Sequence, residues 1–150
     1  MMRKTGAGIF FLLALAAFSC SEPSSSEKFI RVQDAPDGEY RFMVELSDST
    51  ALYDLDLYTL VDGSPSYIAS LTSIPLEISW VSPRLQRFSE TVLLDFTGAE
   101  GSPVSSGIRV PYRKDVAMSV PGAWSVVVRV PEEYRIDGMR GLGLICTKKK

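Results

Sequence analysis

Beyond residue 28, apolar and polar positions alternate with a period of two. Tyr40, Phe42, Val44 and Leu46 fall on one face of their segment, and Arg41, Met43 and Glu45 fall on the other. Tyr53, Leu55 and Leu57 repeat the pattern against Asp54 and Asp56, as do Leu76, Ile78 and Trp80 against Glu77 and Ser79. Trp124 to Val130 follows the same rule. Each segment reads as a strand with one buried face and one wet face. Thr91 to Phe96 and Ile108 to Tyr112 are shorter candidates, with Phe29 to Val32 and Leu142 to Cys146 as the first and last strands.

Turn-forming residues separate these segments: Pro36-Asp37-Gly38, Asp62-Gly63-Ser64-Pro65, Ser82-Pro83, Gly98 to Pro103, Pro121-Gly122 and Asp137-Gly138. No long amphipathic helix is present. Ser82 to Glu90, with Leu85 and Phe88 three apart, is the best short helical candidate, and a loop is the preferred reading. About eight short strands with Gly and Pro between them predict an all-β fold, an antiparallel β-sandwich of jelly-roll-like form over residues 29–150.

The first 28 residues break this rhythm. Arg3 and Lys4 precede Ile9 to Phe18, a run of ten residues that is apolar all round. A permanent membrane span needs about 20 such residues. The run therefore reads as the core of a secretory signal, residues 1–19, ending at Ala17-Phe18-Ser19 and followed at once by Cys20. A cysteine in that place is similar to the bacterial lipobox, in which the thiol receives a diacylglyceryl group and the chain is cut before it. The predicted lipidation site is Cys20; an ordinary signal with a chance cysteine is the alternative. Ser21 to Lys28 is polar and serine-rich, so 20–28 reads as lipidated cysteine plus flexible tether, roughly 25 Å at about 3.3 Å per residue. The expected location is the outer membrane, lipid-anchored, with the membrane itself as one partner.

Cleavage changes the charge balance. Without Arg3 and Lys4 the chain has 14 basic and 18 acidic side chains, a net charge of −4. The basic residues are scattered except for Lys148 to Lys150, which read as a solvated tail, so no nucleic-acid partner is expected. Lipid on Cys20 would also leave Cys146 unpaired. Cys146 shares a strand face with Leu142 and Leu144, which predicts core packing rather than a reactive thiol.

Candidate chemistry is sparse. There is no histidine, which removes Ser–His and Cys–His nucleophile activation and most zinc sites. Asp54 and Asp56 share a strand face, and Asp62 and Asp95 could join them as an acid pair or a Ca²⁺ site. Their place opposite Leu55 and Leu57 favours a plain solvent face. Trp80 and Trp124 could stack on a sugar, but they lie in phase with Ile78 and Val126 and are assigned to the core. Tyr58 and Tyr67 are the freer binding candidates. No catalytic, metal or cofactor-binding residue is assigned.

Two stretches carry a family resemblance. Asp48-Ser49-Thr50-Ala51-Leu52-Tyr53-Asp54-Leu55 and the ending Gly138-Met139-Arg140-Gly141-Leu142-Gly143-Leu144-Ile145, preceded by Pro111-Tyr112 and the Trp124 strand, together resemble gliding motility-associated lipoproteins of the GldH type. The resemblance spans roughly residues 29–150. It implies a non-enzymatic envelope lipoprotein, an accessory or scaffold for surface motility or secretion machinery, with an envelope protein as partner. A carbohydrate-binding lipoprotein is the alternative, a pilus-like structural subunit a further one, and a carboxylate-only hydrolase the last. Independently of the family, Gly141 and Gly143 would permit a bulge or the close approach of a neighbouring strand.

Overall fold

The computed structural model describes residues 25–97 and 105–149. The signal at 1–19 and the lipidation site Cys20 lie outside the described residues. In chain order the elements are β1 (Ser25–Arg31), β2 (Glu39–Leu46), β3 (Leu52–Asp62), α1 (Pro65–Ser70), β4 (Ile74–Val81), β5 (Arg87–Leu94), β6 (Ser105–Ala117), β7 (Gly122–Arg129) and β8 (Met139–Lys149). Single 3-10 turns follow β1 and β7.

The strands form two four-stranded sheets, ordered β1-β8-β3-β6 and β2-β7-β4-β5. Four antiparallel pairs, β1 with β8, β2 with β7, β3 with β6 and β4 with β5, are joined into these sheets by the antiparallel pairs β3 with β8 and β4 with β7. The chain is thus one long hairpin wrapped round on itself, the jelly-roll winding expected from the sequence. The alternation read from the sequence sets which face is inside. Tyr40, Phe42, Val44 and Leu46 meet Leu76, Ile78, Val126 and Val128 of their own sheet and Leu55, Leu57, Val61, Leu142 and Leu144 of the other in one buried cluster. Thr59 is buried on the same face, and its hydroxyl donates to the Gly141 carbonyl at 2.6 Å, so its polar atom is satisfied.

Several expectations need correction. Ser25 to Lys28, read as tether, belong to β1 and pair with Leu144 to Thr147. Their side chains are exposed, as composition suggested. An edge strand needs only its backbone ladder, which serines and lysines supply as well as valines. Residues 82–90 are neither helix nor an extended loop: Ser82 to Gln86 close a tight connection and Arg87 already opens β5. The 62–65 turn continues into α1, where Ser64 accepts from the Tyr67 N–H at 3.2 Å and Pro65 takes the first helical position. Lys148 and Lys149 are not a loose tail but the end of β8, paired with Asp48 at 2.9 Å and with Asp54 and Asp115 at 3.0 and 2.7 Å.

The two glycines of β8 admit close neighbours, as expected. A Cβ on Gly141 would collide with the Ile30 carbonyl oxygen of β1, and one on Gly143 would collide with the Tyr58 ring. Tyr58 and Phe29, which flank Gly143 on β3 and β1, stack across it with centroids 5.4 Å apart. Two aromatic rings from the neighbouring strands thus cover the bare backbone.

The sandwich has two poles. β1 begins and β8 ends at one, together with the connections 47–51, 82–86 and 118–121. The connections after β1, β3 and β7 lie at the other, as does Asp95 to Thr97 after β5.

Candidate functional site

The densest chemistry lies in a cleft between the sheets, at the pole where β1 begins. Its wall is Leu55, Trp80, Phe88, Val116, Met118 and Trp124, its polar rim is Glu90, Arg113 and Lys114, and its volume is about 340 Å³. This is within the size range of small-ligand pockets.

Edge strands shape it. β5 and β6 are the open edges of their sheets on this side. Phe88 lies directly across from Trp80, and Glu90 across from Ile78, so both project from the inner face of β5. A carboxylate aimed inward on an edge strand also discourages pairing with a foreign strand. β6 tolerates Pro111 because it too is an edge. Its register against β3 slips twice, between Tyr53 and Leu55 and between Leu55 and Asp56. The slips break the in-out alternation, so that adjacent Arg113 and Lys114, together with Val116, all reach the cleft. Asp115 sits in the slip between Tyr53 and Leu55 with φ +53°, a left-handed backbone. Its N–H donates to Asp54 Oδ1 at 2.9 Å, and Lys149 holds its carboxylate at 2.7 Å. These contacts fix a conformation that a non-glycine residue rarely adopts.

Trp80 and Trp124 are buried, each 9% exposed, and meet edge to face at 5.9 Å. Phe88 lies 6.2 Å from Trp124 and is 53% exposed. Behind them runs a chain of hydrogen bonds. Trp80 Nε1 donates to the Tyr112 hydroxyl at 2.7 Å, and that hydroxyl donates to Glu90 Oε1. Arg113 donates to both Glu90 oxygens at 2.6 Å, with its guanidinium 5.6 Å from the Tyr112 ring centroid. Burial opposes ionisation of Glu90, but the hydrogen bonds from Arg113 and Tyr112 outweigh it and hold the carboxyl below its usual pKa. Burial and then the bond to Glu90 push the Tyr112 phenol up to about 12.

The residues singled out from the sequence are dispersed. Trp80 and Trp124 are core residues as assigned, and they also line the cleft. Asp54 supports the β6 bulge, Asp56 pairs with Arg109, Asp62 with Arg140 at 2.8 Å, and Asp95 accepts from the Thr97 N–H at 2.8 Å. These acids do not converge, and among the described residues no three His, Cys, Asp or Glu side chains are grouped to hold a metal. Tyr67, a binding candidate from sequence, is corrected to a structural role. It packs against the core, and its hydroxyl donates to the Asp137 carbonyl at 2.7 Å, tying α1 to the β7–β8 connection. Tyr58 is likewise engaged, by Phe29 and by the Glu27 carboxylate. Phe88, Glu90, Tyr112 and Arg113 were not foreseen. Phe88, Glu90, Val92 and Leu94 alternate in phase, which was the available signal for the first two. Cys146 is buried, and burial pushes its thiol up to about 11.

No protein-family model matches the chain, and no curated protein aligns with it significantly.

Proposed function

We propose that this chain is a lipid-anchored envelope lipoprotein whose jelly-roll domain binds a partner without performing chemistry on it. The observation that carries the non-catalytic reading is the state of Glu90. Among the described residues it is the single carboxylate on the cleft, bound by Arg113 on both oxygens and by Tyr112 on one. A carboxyl held in that ion pair stays ionised at neutral pH and cannot serve as a general acid, and hydrolysis by carboxylates needs a second one across the bond. What remains is an apolar wall with a charged rim, which suits recognition. The resemblance to gliding motility-associated lipoproteins extends this to a role as accessory or scaffold in an outer-membrane assembly.

The test is crosslinking in intact cells from a photoreactive residue at Phe88, compared with the same residue at Met43, which is exposed on the outer face of β2. A discrete protein adduct from Phe88 and none from Met43 is the expected result. The absence of any adduct from Phe88 across growth conditions contradicts partner binding through this cleft. Carbohydrate binding is the second reading, favoured by the exposed Phe88 ring beside Trp124. It predicts glycan-array signals that Phe88→Ala abolishes. It draws less support than a row of exposed aromatics would give, because Trp80 and Trp124 are buried. A pilus-like subunit would have a strand missing from within a sheet, whereas both four-stranded sheets are continuous among the described residues.

A further inference from the structure

We propose that Leu85, at the tip of the β4–β5 connection on the pole where β1 begins, enters the bilayer that carries the anchor, with an anionic phospholipid surface as its occupant, while the cleft, walled by the edge strands β5 and β6, stays open to its partner from the side. This rests on the lipid-anchored reading of Cys20.

Three independent observations meet at this pole. The first is reach. β1 starts at Ser25, so residues 21–24 are all that separate it from Cys20. Four extended residues span roughly 13 Å, about half the tether expected from sequence, so this end of the sandwich must stay near the headgroups.

The second is Leu85, at the tip of the β4–β5 connection. It is 80% exposed and has φ +62°. A branched apolar side chain in left-handed backbone is unusual, and full exposure makes it doubly so. The tip is firmly built. The Ser82 hydroxyl accepts from the N–H groups of Arg84 and Gln86 at 3.2 and 3.1 Å, and the Leu85 N–H donates to the Ser82 carbonyl at 2.9 Å. The loop therefore presents Leu85 to whatever lies beyond the pole. Short apolar tips flanked by basic residues suit the boundary between headgroups and acyl chains.

The third is charge. Arg84 and Arg87 flank Leu85 and its neighbour Gln86, whereas Lys148 and Lys149 at the end of β8 are held by Asp48, Asp54 and Asp115. Arg84 and Arg87 have no acidic partner among the described residues. At the other pole, Asp34, Asp37, Glu132, Glu133 and Asp137 lead an acidic excess. The tip thus carries two unpaired positive charges beside its exposed apolar residue, which an anionic surface would attract.

The experiment uses the full lipidated chain in a Cys146→Ala background, carrying an environment-sensitive fluorophore at Leu85→Cys or, as control, at Glu133→Cys on the opposite pole. Each is reconstituted into phosphatidylcholine vesicles with and without phosphatidylglycerol. Iodide quenching of the Leu85→Cys probe is expected to fall severalfold on reconstitution, most with phosphatidylglycerol, while the Glu133→Cys probe stays fully quenched. Combining the probe with Arg84→Glu and Arg87→Glu should remove the phosphatidylglycerol dependence. Leu85→Gly relieves the left-handed backbone, so it should fold normally while losing contact. In that variant a probe at Ser119→Cys on the neighbouring connection should be quenched more than in the parent. Equal quenching of the Leu85→Cys and Glu133→Cys probes in a chain shown by mass to carry lipid overturns this inference alone. An unmodified Cys20 overturns the anchored reading and this inference with it. Shielding of Leu85 in native membranes but not in lipid vesicles means a protein, not lipid, covers the Leu85 tip, and overturns the lipid assignment.

Discussion

Replacing Gly143 by alanine isolates one structural idea with a single methyl group. Gly143 does not have a positive φ, so alanine is free to adopt its backbone conformation. The cost is therefore steric: the new Cβ would occupy the space of the Tyr58 ring, which is itself stacked on Phe29. Forcing an extra methyl into filled space costs about 1–3 kcal/mol, and losing the aromatic pair about 0.5–1.5 kcal/mol. Against this, alanine lowers the entropy of the unfolded chain, which returns about 0.4–1 kcal/mol. The net expectation is a loss of about 2 kcal/mol. For a domain of this size, that lowers Tm by about 8 °C at roughly 4 °C per kcal/mol. Thermal melts followed by far-UV circular dichroism would measure it. Tyr58→Ala empties the space, so Gly143→Ala in that background should cost about nothing, a coupling of about 2 kcal/mol in the double-mutant cycle. Equal cost in both backgrounds, or no cost in either, refutes the claim that the ring is packed on the bare glycine. The consequence reaches function, because Phe29 and Tyr58 hold β1 against the sheet and so fix where the chain departs toward Cys20.

Three further outcomes follow from the cleft and the core. Tyr112→Phe leaves the Trp80 N–H without its acceptor and removes one donor from Glu90; a loss of about 1–3 kcal/mol in denaturant unfolding is expected, with an altered tryptophan emission maximum. The Cys146 thiol, raised by burial from its ordinary 9.0 to about 11, should resist alkylation in the native protein at pH 8 and react at once in denaturant. As pH rises the unfolded state loses that proton first, so this contribution to stability is intact below about pH 9 and declines between there and about pH 11, measurable as a falling denaturation midpoint. Asp54→Ala removes the acceptor that pins the Asp115 N–H, and faster hydrogen exchange at that amide with a lower melting temperature is expected.

The fold was legible because its signal is redundant. Each strand repeats the period-two pattern several times, and turn residues mark nearly every break. Errors fell where a strand departs from that pattern for a physical reason. Only the second half of β5 is legible, within the Thr91 to Phe96 candidate, because β5 is an edge. Glu90 faces inward, where an arginine and a tyrosine meet it, and Leu93 faces outward at 61% exposure, so its alternation reads as noise. β1 was shortened because polar composition was equated with disorder, although its backbone ladder to β8 needs no buried side chain at Ser25 to Lys28. α1 was missed although Ser64-Pro65 is a helix-start pair, because the same residues also mark a turn. The cleft was the least visible feature. It depends on two slips in β6 that turn consecutive side chains to one side, and on contacts between residues 22 and 23 positions apart in sequence. Nothing local in the chain announces that Glu90, Tyr112 and Arg113 meet.

The anchored reading is tested most directly by the intact mass of the protein extracted with detergent from its native membranes. The account predicts a chain that starts at Cys20, lacks residues 1–19, and carries a diacylglyceryl thioether on that cysteine, with or without an acyl group on its amine. A chain that retains the signal segment, or begins near Cys20 with an unmodified thiol, would contradict it.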